Sequence, residues 1–206
     1  MDSVIFLDKI SIDPPREKIY QRLGYKKKTT AISTKQLKET ELFINEAAAF
    51  ISLKGMFLRL KINHNDDEKI ILSGDLIFQS KKLSVFLRNC KEAVLMGVTA
   101  GDAIMDAIKK QTLQNDLAAA VVYDATASEM TDAALDWMMN YINRILRREA
   151  KYLLPRRFSA GYADFDLENQ KIIYEQLQMK KIGVTITPSF ILIPEKSVTA
   201  ISGICG

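Results

Sequence analysis

One stretch of the sequence concentrates residue types that could hold a ligand: Pro155-Arg156-Arg157-Phe158-Ser159-Ala160-Gly161-Tyr162. Arg157 offers a planar fork of donors matched to a carboxylate or phosphate. Ser159 adds a hydroxyl, and the backbone of Ser159–Gly161 adds polar groups. Gly161 permits positive φ or close approach of a ligand to the main chain. Tyr162 brings a ring face for a cation and a hydroxyl for a hydrogen bond. A zwitterion with a carboxylate at one end and a positive centre at the other fits this set. A structural loop tied down by an arginine–carboxylate pair fits it equally well, because loops of this composition are common.

Other chemistry is hard to find. There is no Gly-x-Gly-x-x-Gly, phosphate loop or Gly-x-Ser-x-Gly elbow, and no catalytic dyad. The single histidine, His64, lies in the polar tract Asn63–Glu68 and reads as part of a solvated turn. Cys90 and Cys205 are the only cysteines. With one histidine they cannot complete a tetrahedral zinc site, so no metal site is expected. Their wide separation reads as incidental or structural thiols in a reducing compartment, hence the cytoplasm.

The elements that must position the loop follow from periodicity and capping. Val4–Leu7 reads as a short strand. A helix follows with Asp13 as N-cap and Gly24 past its end. Ser33 and Gln36 have capping-box spacing before a second helix, whose apolar side includes Leu37, Ile44, Ala48 and Ile51. Met56–Ile62 reads as a half-buried strand, and with Lys69–Leu72 and Leu76–Phe78 it makes an antiparallel meander. Ser80 caps a short helix through Arg88. Ala93–Val98 reads as a buried strand, and Thr99–Asp102 turns into Leu113–Ala150, mostly helical with a break near Ser128. Its stripe Met130, Ala134, Trp137, Tyr141 and Ile145 should face the sheet. Its basic tail, Arg144 to Arg157, is either a solvated helix end or a docking face for an acidic protein. Asp166 should cap a helix through Met179. Strands Val184–Thr187, Phe190–Ile193 and Val198–Ile204 close the chain, with Pro188 and Pro194 suggesting edges or bends.

This order lacks regular βαβ alternation. It predicts an α+β fold, a single domain over 1–206 with a mainly antiparallel, twisted sheet covered by helices. The chain's 206 residues, 48% hydrophobic and 26% charged, suit a soluble domain with a real core. No apolar run approaches the span of about 20 residues needed to cross a membrane. A net charge of +4 and the lack of any recognition motif argue against nucleic acid.

Several motifs carry a family resemblance. Arg157-x-x-x-Gly161-Tyr162 resembles the Arg-x-x-x-Gly-Tyr motif of the activation (reactivation) domain of cobalamin-dependent methionine synthase. Asp166–Lys171, Lys181–Ser189 and Ile193–Ile204 resemble segments of that family's free-standing members, in the same order. Thr99–Gly101, Val122–Ala125 and, more thinly, Arg22–Tyr25 extend the similarity upstream. The match is best from about Ala93 onwards. Ala160 and Ala163 stand where the family favours proline, and Pro188 where it has glutamate.

The resemblance implies that Arg157, Ser159, Ala160, Gly161 and Tyr162 bind S-adenosylmethionine, with Arg157 on the carboxylate and Tyr162 beside the methyl. It implies assistance in the reductive methylation of cob(II)alamin, with S-adenosylmethionine giving the methyl and flavodoxin or ferredoxin the electron. The cobalamin would come from a partner, a cobalamin-dependent methionine synthase or another corrinoid protein, since the chain has no Asp-x-His-x-x-Gly motif. The alternative is a docking module for such a corrinoid protein or its electron donor that does not bind S-adenosylmethionine.

Overall fold

The computed structural model describes residues 3–26 and 29–206. In chain order the elements are β1 (Ile5–Leu7), α1 (Arg16–Arg22), α2 (Thr34–Phe50), β2 (Lys54–Asn65), β3 (Lys69–Leu72), β4 (Leu76–Gln79), α3 (Lys81–Phe86) and β5 (Glu92–Thr99). There follow α4 (Ala103–Leu113), α5 (Leu117–Leu146), β6 (Tyr152–Leu153), α6 (Asn169–Leu177), β7 (Thr185–Ile186), β8 (Leu192–Ile193) and β9 (Ser197–Cys205).

A 7-stranded sheet runs β4-β3-β2-β5-β9-β6, and its pairings are antiparallel. The long β2 is shared along one edge: β1 pairs beside Gly55–Phe57 and β3 beside Ile62–Asn65. Strand β5 occupies the middle, flanked along its whole length by β2 and β9. Its alternation serves two cores. Val94, Met96 and Val98 pack with Leu135, Met138 and Ile142 of α5. Ala93 and Leu95 pack with Ile173 and Leu177 of α6 and with Leu83 of α3. Both faces are therefore covered, which explains why the strand is a continuous apolar run. The expected α+β fold with a helix-covered antiparallel sheet is observed.

Local signals account for many boundaries. Ser33 Oγ accepts the Gln36 amide at 3.2 Å while Gln36 accepts the Ser33 amide at 3.0 Å, completing the capping box. Ser80 Oγ accepts the Leu83 amide at 3.0 Å and starts α3. Gly24 has φ +85° just past α1, a conformation that suits glycine.

Other expectations fail for identifiable reasons. Asp13 does not cap α1; the helix starts at Arg16 behind Pro15, because the Ile19 amide bonds the Pro15 carbonyl at 3.0 Å. Of the predicted α2 face, Ile44 is buried and Ala48 and Ile51 are partly buried, but Leu37 is exposed and Ala47 is buried in addition. Strand β2 is buried on both faces from Met56 to Phe57 and Leu58, since helices cover both sides. Helix α5 runs unbroken through Ser128. Its sheet-facing stripe keeps Met130 and Ala134 of the predicted set but continues through Leu135, Met138, Met139 and Ile142, leaving Trp137 and Tyr141 partly buried and Ile145 exposed. Asp166 does not cap α6 with its side chain; its carbonyl accepts the Asn169 side-chain amide at 2.9 Å. Strand β9 is interior and not an edge, while β7 and β8 form a separate hairpin.

The cysteines also need correction. Cys90 and Cys205, separated by 115 residues in sequence, are disulfide-bonded with their Cα atoms 4.6 Å apart. Sequence distance hid the pairing, so their separation no longer argues for a reducing compartment. Among the described residues, no helix is long and apolar enough to cross a membrane.

Candidate functional site

The irregular segment after β6 is held against β9 by an extension of the sheet. Phe158 and Ile201 exchange backbone hydrogen bonds at 2.8 Å in both directions. Ser202 Oγ donates to the Arg156 carbonyl at 2.9 Å, and Ser159 Oγ donates to the Thr199 carbonyl at 2.8 Å. Beyond Ser159 the chain folds back on itself. The Gly161 amide bonds the Phe165 carbonyl at 2.7 Å, and the Phe165 amide bonds the Tyr162 carbonyl at 3.0 Å. Gly161 has φ +87° here, and an added Cβ would lie 3.3 Å from Leu167 Cδ1. The sequence expectation that this glycine serves backbone geometry is met.

Apolar contacts pin the turn from below. Phe165 is fully buried, edge-on to Phe78 with ring centroids 5.3 Å apart and 6.2 Å from Phe158. Burial of such a ring contributes roughly 1.5–3 kcal/mol. Asp164 clamps the turn from the side, accepting Ser80 Oγ at 2.6 Å and the Lys82 amide at 3.1 Å. The Ser80 hydrogen bond, aided by backbone donors, holds the Asp164 carboxyl below its usual range. Ala160 is buried in the same cluster, so alanine in place of proline leaves the loop well anchored.

Every site residue predicted from the sequence except Gly161 lines one groove of about 460 Å³. Arg157, Ser159, Ala160 and Tyr162 border it with Phe158, Asp132 of α5, Gln170 of α6, and Ser197–Thr199 of β9. Gly161 shapes the turn behind it. Tyr162 projects freely, 69% exposed, at the rim. The volume is in the range of small-ligand clefts.

Arg157 is already paired. One terminal nitrogen donates to Asp136, and the other donates to Asp132 at 3.1 Å. The arginine side chain is 23% exposed and the two carboxylates about half exposed. Asp136 also receives Lys18 at 3.2 Å. Burial pushes the Asp136 carboxyl up, but Arg157 and Lys18 more than reverse this and hold it below the usual carboxylate range. The arginine–carboxylate reading of the loop is thus realised alongside the groove. Sequence reasoning missed Asp132 and Asp136. Their spacing of one helical turn on a helix predicted to pack on the sheet was the available signal.

The remaining candidates fall away from this groove. His64 is the penultimate residue of β2 and is not in a turn, with its ring 3.3 Å from Asp66 and largely in solvent. The basic stretch after α5 is partly neutralised: Lys151 and Arg59 share Glu92 and Glu149. Among the described residues no cluster of His, Cys, Asp or Glu could hold a metal ion. A larger cavity, about 690 Å³, lies between α1, α2 and the start of α5, and no predicted site residue borders it.

Fold and groove together define an α+β domain with an antiparallel sheet covered on both faces and a polar cleft beside the start of β9. That is the fold of the MetH reactivation domain. A crystal structure of that domain bound to AdoHcy superposes with a TM-score of 0.66 at 16% identity, covering 98% of this chain and 78% of that chain. No protein-family model matches the sequence. No curated protein is recognisably similar to it in sequence.

Proposed function

We propose that this chain binds S-adenosylmethionine in the Arg157–Tyr162 groove and assists reductive methylation of cob(II)alamin on a partner in the cytoplasm. The partner is a cobalamin-dependent methionine synthase or related corrinoid protein. The observation that carries the reading is the groove itself. Residues identified from the sequence as ligand-type converge there, on the fold of a domain solved with AdoHcy, an analogue of S-adenosylmethionine.

The charge arrangement supports a zwitterionic ligand. An incoming carboxylate displaces Asp132 from Arg157, and the ligand ammonium takes up the released Asp132 carboxylate. The exchange leaves no charge unpaired, which a simple carboxylic acid could not achieve. Tyr162 at the rim presents its ring to the sulfonium, a cation–π contact of about 0.5–1 kcal/mol at an exposed site. The amides of Gly161 and Tyr162 are committed to the Phe165 and Ser159 carbonyls, so backbone amide donors to the ligand come from Ser159 and Ala160, and the Gly161 carbonyl can accept. Methyl transfer from a sulfonium releases a neutral thioether and needs no general acid or base, so the chain's task is orientation. The partner's cobalamin supplies the methyl acceptor, and flavodoxin or ferredoxin the electron.

Isothermal titration with S-adenosylmethionine tests the binding step. Methylcobalamin formation from a corrinoid protein held as cob(II)alamin, with reductant and S-adenosylmethionine, tests the function. Dependence of the rate on this chain and on Arg157 is expected. One observation favours a second reading, a docking module without ligand: Arg157 is satisfied by Asp132 and Asp136 inside the chain. Absence of binding at millimolar S-adenosylmethionine selects that reading.

A further inference from the structure

We propose that Cys90 and Cys205 act as a redox-operated staple that sets how firmly the sheet edge bearing the Arg157 loop is held. These are the only cysteines in the sequence. Their Cα separation of 4.6 Å lies within the bonded range of about 4.4–6.8 Å. Both are nearly buried, at 8% and 6% exposure.

Their placement ties the pair to the groove. Cys90 sits in the turn between α3 and β5, where its amide bonds the Leu87 carbonyl at 3.0 Å. Cys205 is the last residue of β9 and lies opposite Tyr152 of β6. Strand β6 has only 2 residues, so it has little pairing of its own. The chain beyond it takes its course from the same end of β9: the Leu154 amide bonds the Gly203 carbonyl at 2.9 Å, Ser202 holds Arg156, and Phe158 pairs with Ile201. Fixing Cys205 to Cys90 fixes the template on which the loop is laid.

The chemistry is thiol–disulfide exchange with a small disulfide such as glutathione disulfide. The thiolate of one cysteine attacks it and releases one glutathione. The second cysteine, losing its proton, attacks the mixed disulfide, forms the Sγ–Sγ bond and releases the second glutathione. Two thiols are oxidised by two electrons, and one glutathione disulfide is reduced to two glutathiones. Because both sulfurs are buried, exchange proceeds through opening of the end of β9. The link joins residues far apart in sequence, so it restricts the unfolded chain strongly.

The test uses the full chain equilibrated in glutathione buffers from fully reduced to fully oxidised. Free thiols are alkylated after unfolding and counted by mass. Thermal melts and limited proteolysis mapped across 150–162 are run in parallel. The oxidised form should carry no alkyl groups, melt about 5–15 °C higher than the reduced form, and be cleaved at least several-fold more slowly in 150–162. Cys90→Ser and Cys205→Ser should behave like reduced protein and ignore reductant. The wild-type comparison stands alone if either variant fails to fold. Two free thiols under excess glutathione disulfide, or identical melts in the two states, would overturn the proposal. A higher melting temperature with unchanged cleavage of 150–162 would overturn its link to the loop.

Discussion

Replacing Arg157 with alanine separates a structural role from a ligand role, because the structure sets different magnitudes for each. In the folded chain the guanidinium donates to Asp136 and to Asp132. Those carboxylates are 45% and 51% exposed. Solvent screening reduces each contact to the surface scale of about 0.5–1 kcal/mol, below the 1.5–3 kcal/mol of a sheltered charged hydrogen bond. Asp136 keeps Lys18 at 3.2 Å after the substitution, so it is not stranded. Loss of Arg157 should therefore cost about 1–2 kcal/mol of stability, a fall of about 2–8 °C in melting temperature for a chain of this size.

The effect on S-adenosylmethionine differs in origin. The ligand carboxylate gains a guanidinium that was already partnered, so the net loss is about 1.5 kcal/mol, close to tenfold in affinity. Differential scanning fluorimetry reads the first quantity and calorimetric titration the second. Arg157→Lys should recover part of both, since it keeps the charge and loses the fork. Unchanged affinity in a folded Arg157→Ala protein, with only the melting temperature lowered, would falsify the ligand role and leave the arginine as a loop clamp.

Phe165→Ala should destabilise the fold by about 3–5 kcal/mol, because a fully buried ring touching Phe78 and Phe158 is removed; denaturant unfolding checks this. Gly161→Ala should cost about 1–2 kcal/mol, since φ is +87° and the new methyl would press on Leu167 at 3.3 Å; a melt no lower than wild type would contradict the turn geometry. Arg59 and Lys151 hold the Glu149 carboxyl down to about 2, from an ordinary value near 4.5. Its folded pKa is depressed, so the stability it contributes is present above about pH 4.5 and is lost as pH falls towards 2. Glu149→Gln should flatten the melting temperature across that interval relative to wild type.

Local chemistry made much of this protein legible in its sequence. The Ser33–Gln36 box, the Ser80 cap, Gly24 and the apolar run Ala93–Val98 each act within a few residues, so type and spacing suffice to place them. The Arg157–Tyr162 segment was likewise recognisable, because a guanidinium, a hydroxyl, a glycine and a phenol lie close together in the chain. Tertiary structure decided what depends on partners distant in sequence. Which face of α5 meets the sheet is set by packing against β5 and β9, and that adds Leu135, Met138 and Ile142 to the buried stripe that the sequence marked at Met130 and Ala134. Both faces of β2 are buried because α5 and α6 come from far downstream to cover them. Asp132 joined the groove, and Asp136 took hold of Arg157, only once α5 lay beside the loop. Cys90 reached Cys205 across 115 residues because β5 and β9 pair in a register that sets Glu92 opposite Ile204. Hydrogen bonds and caps act locally, whereas burial and charge pairing act through space, and only the folded chain defines which residues are near one another.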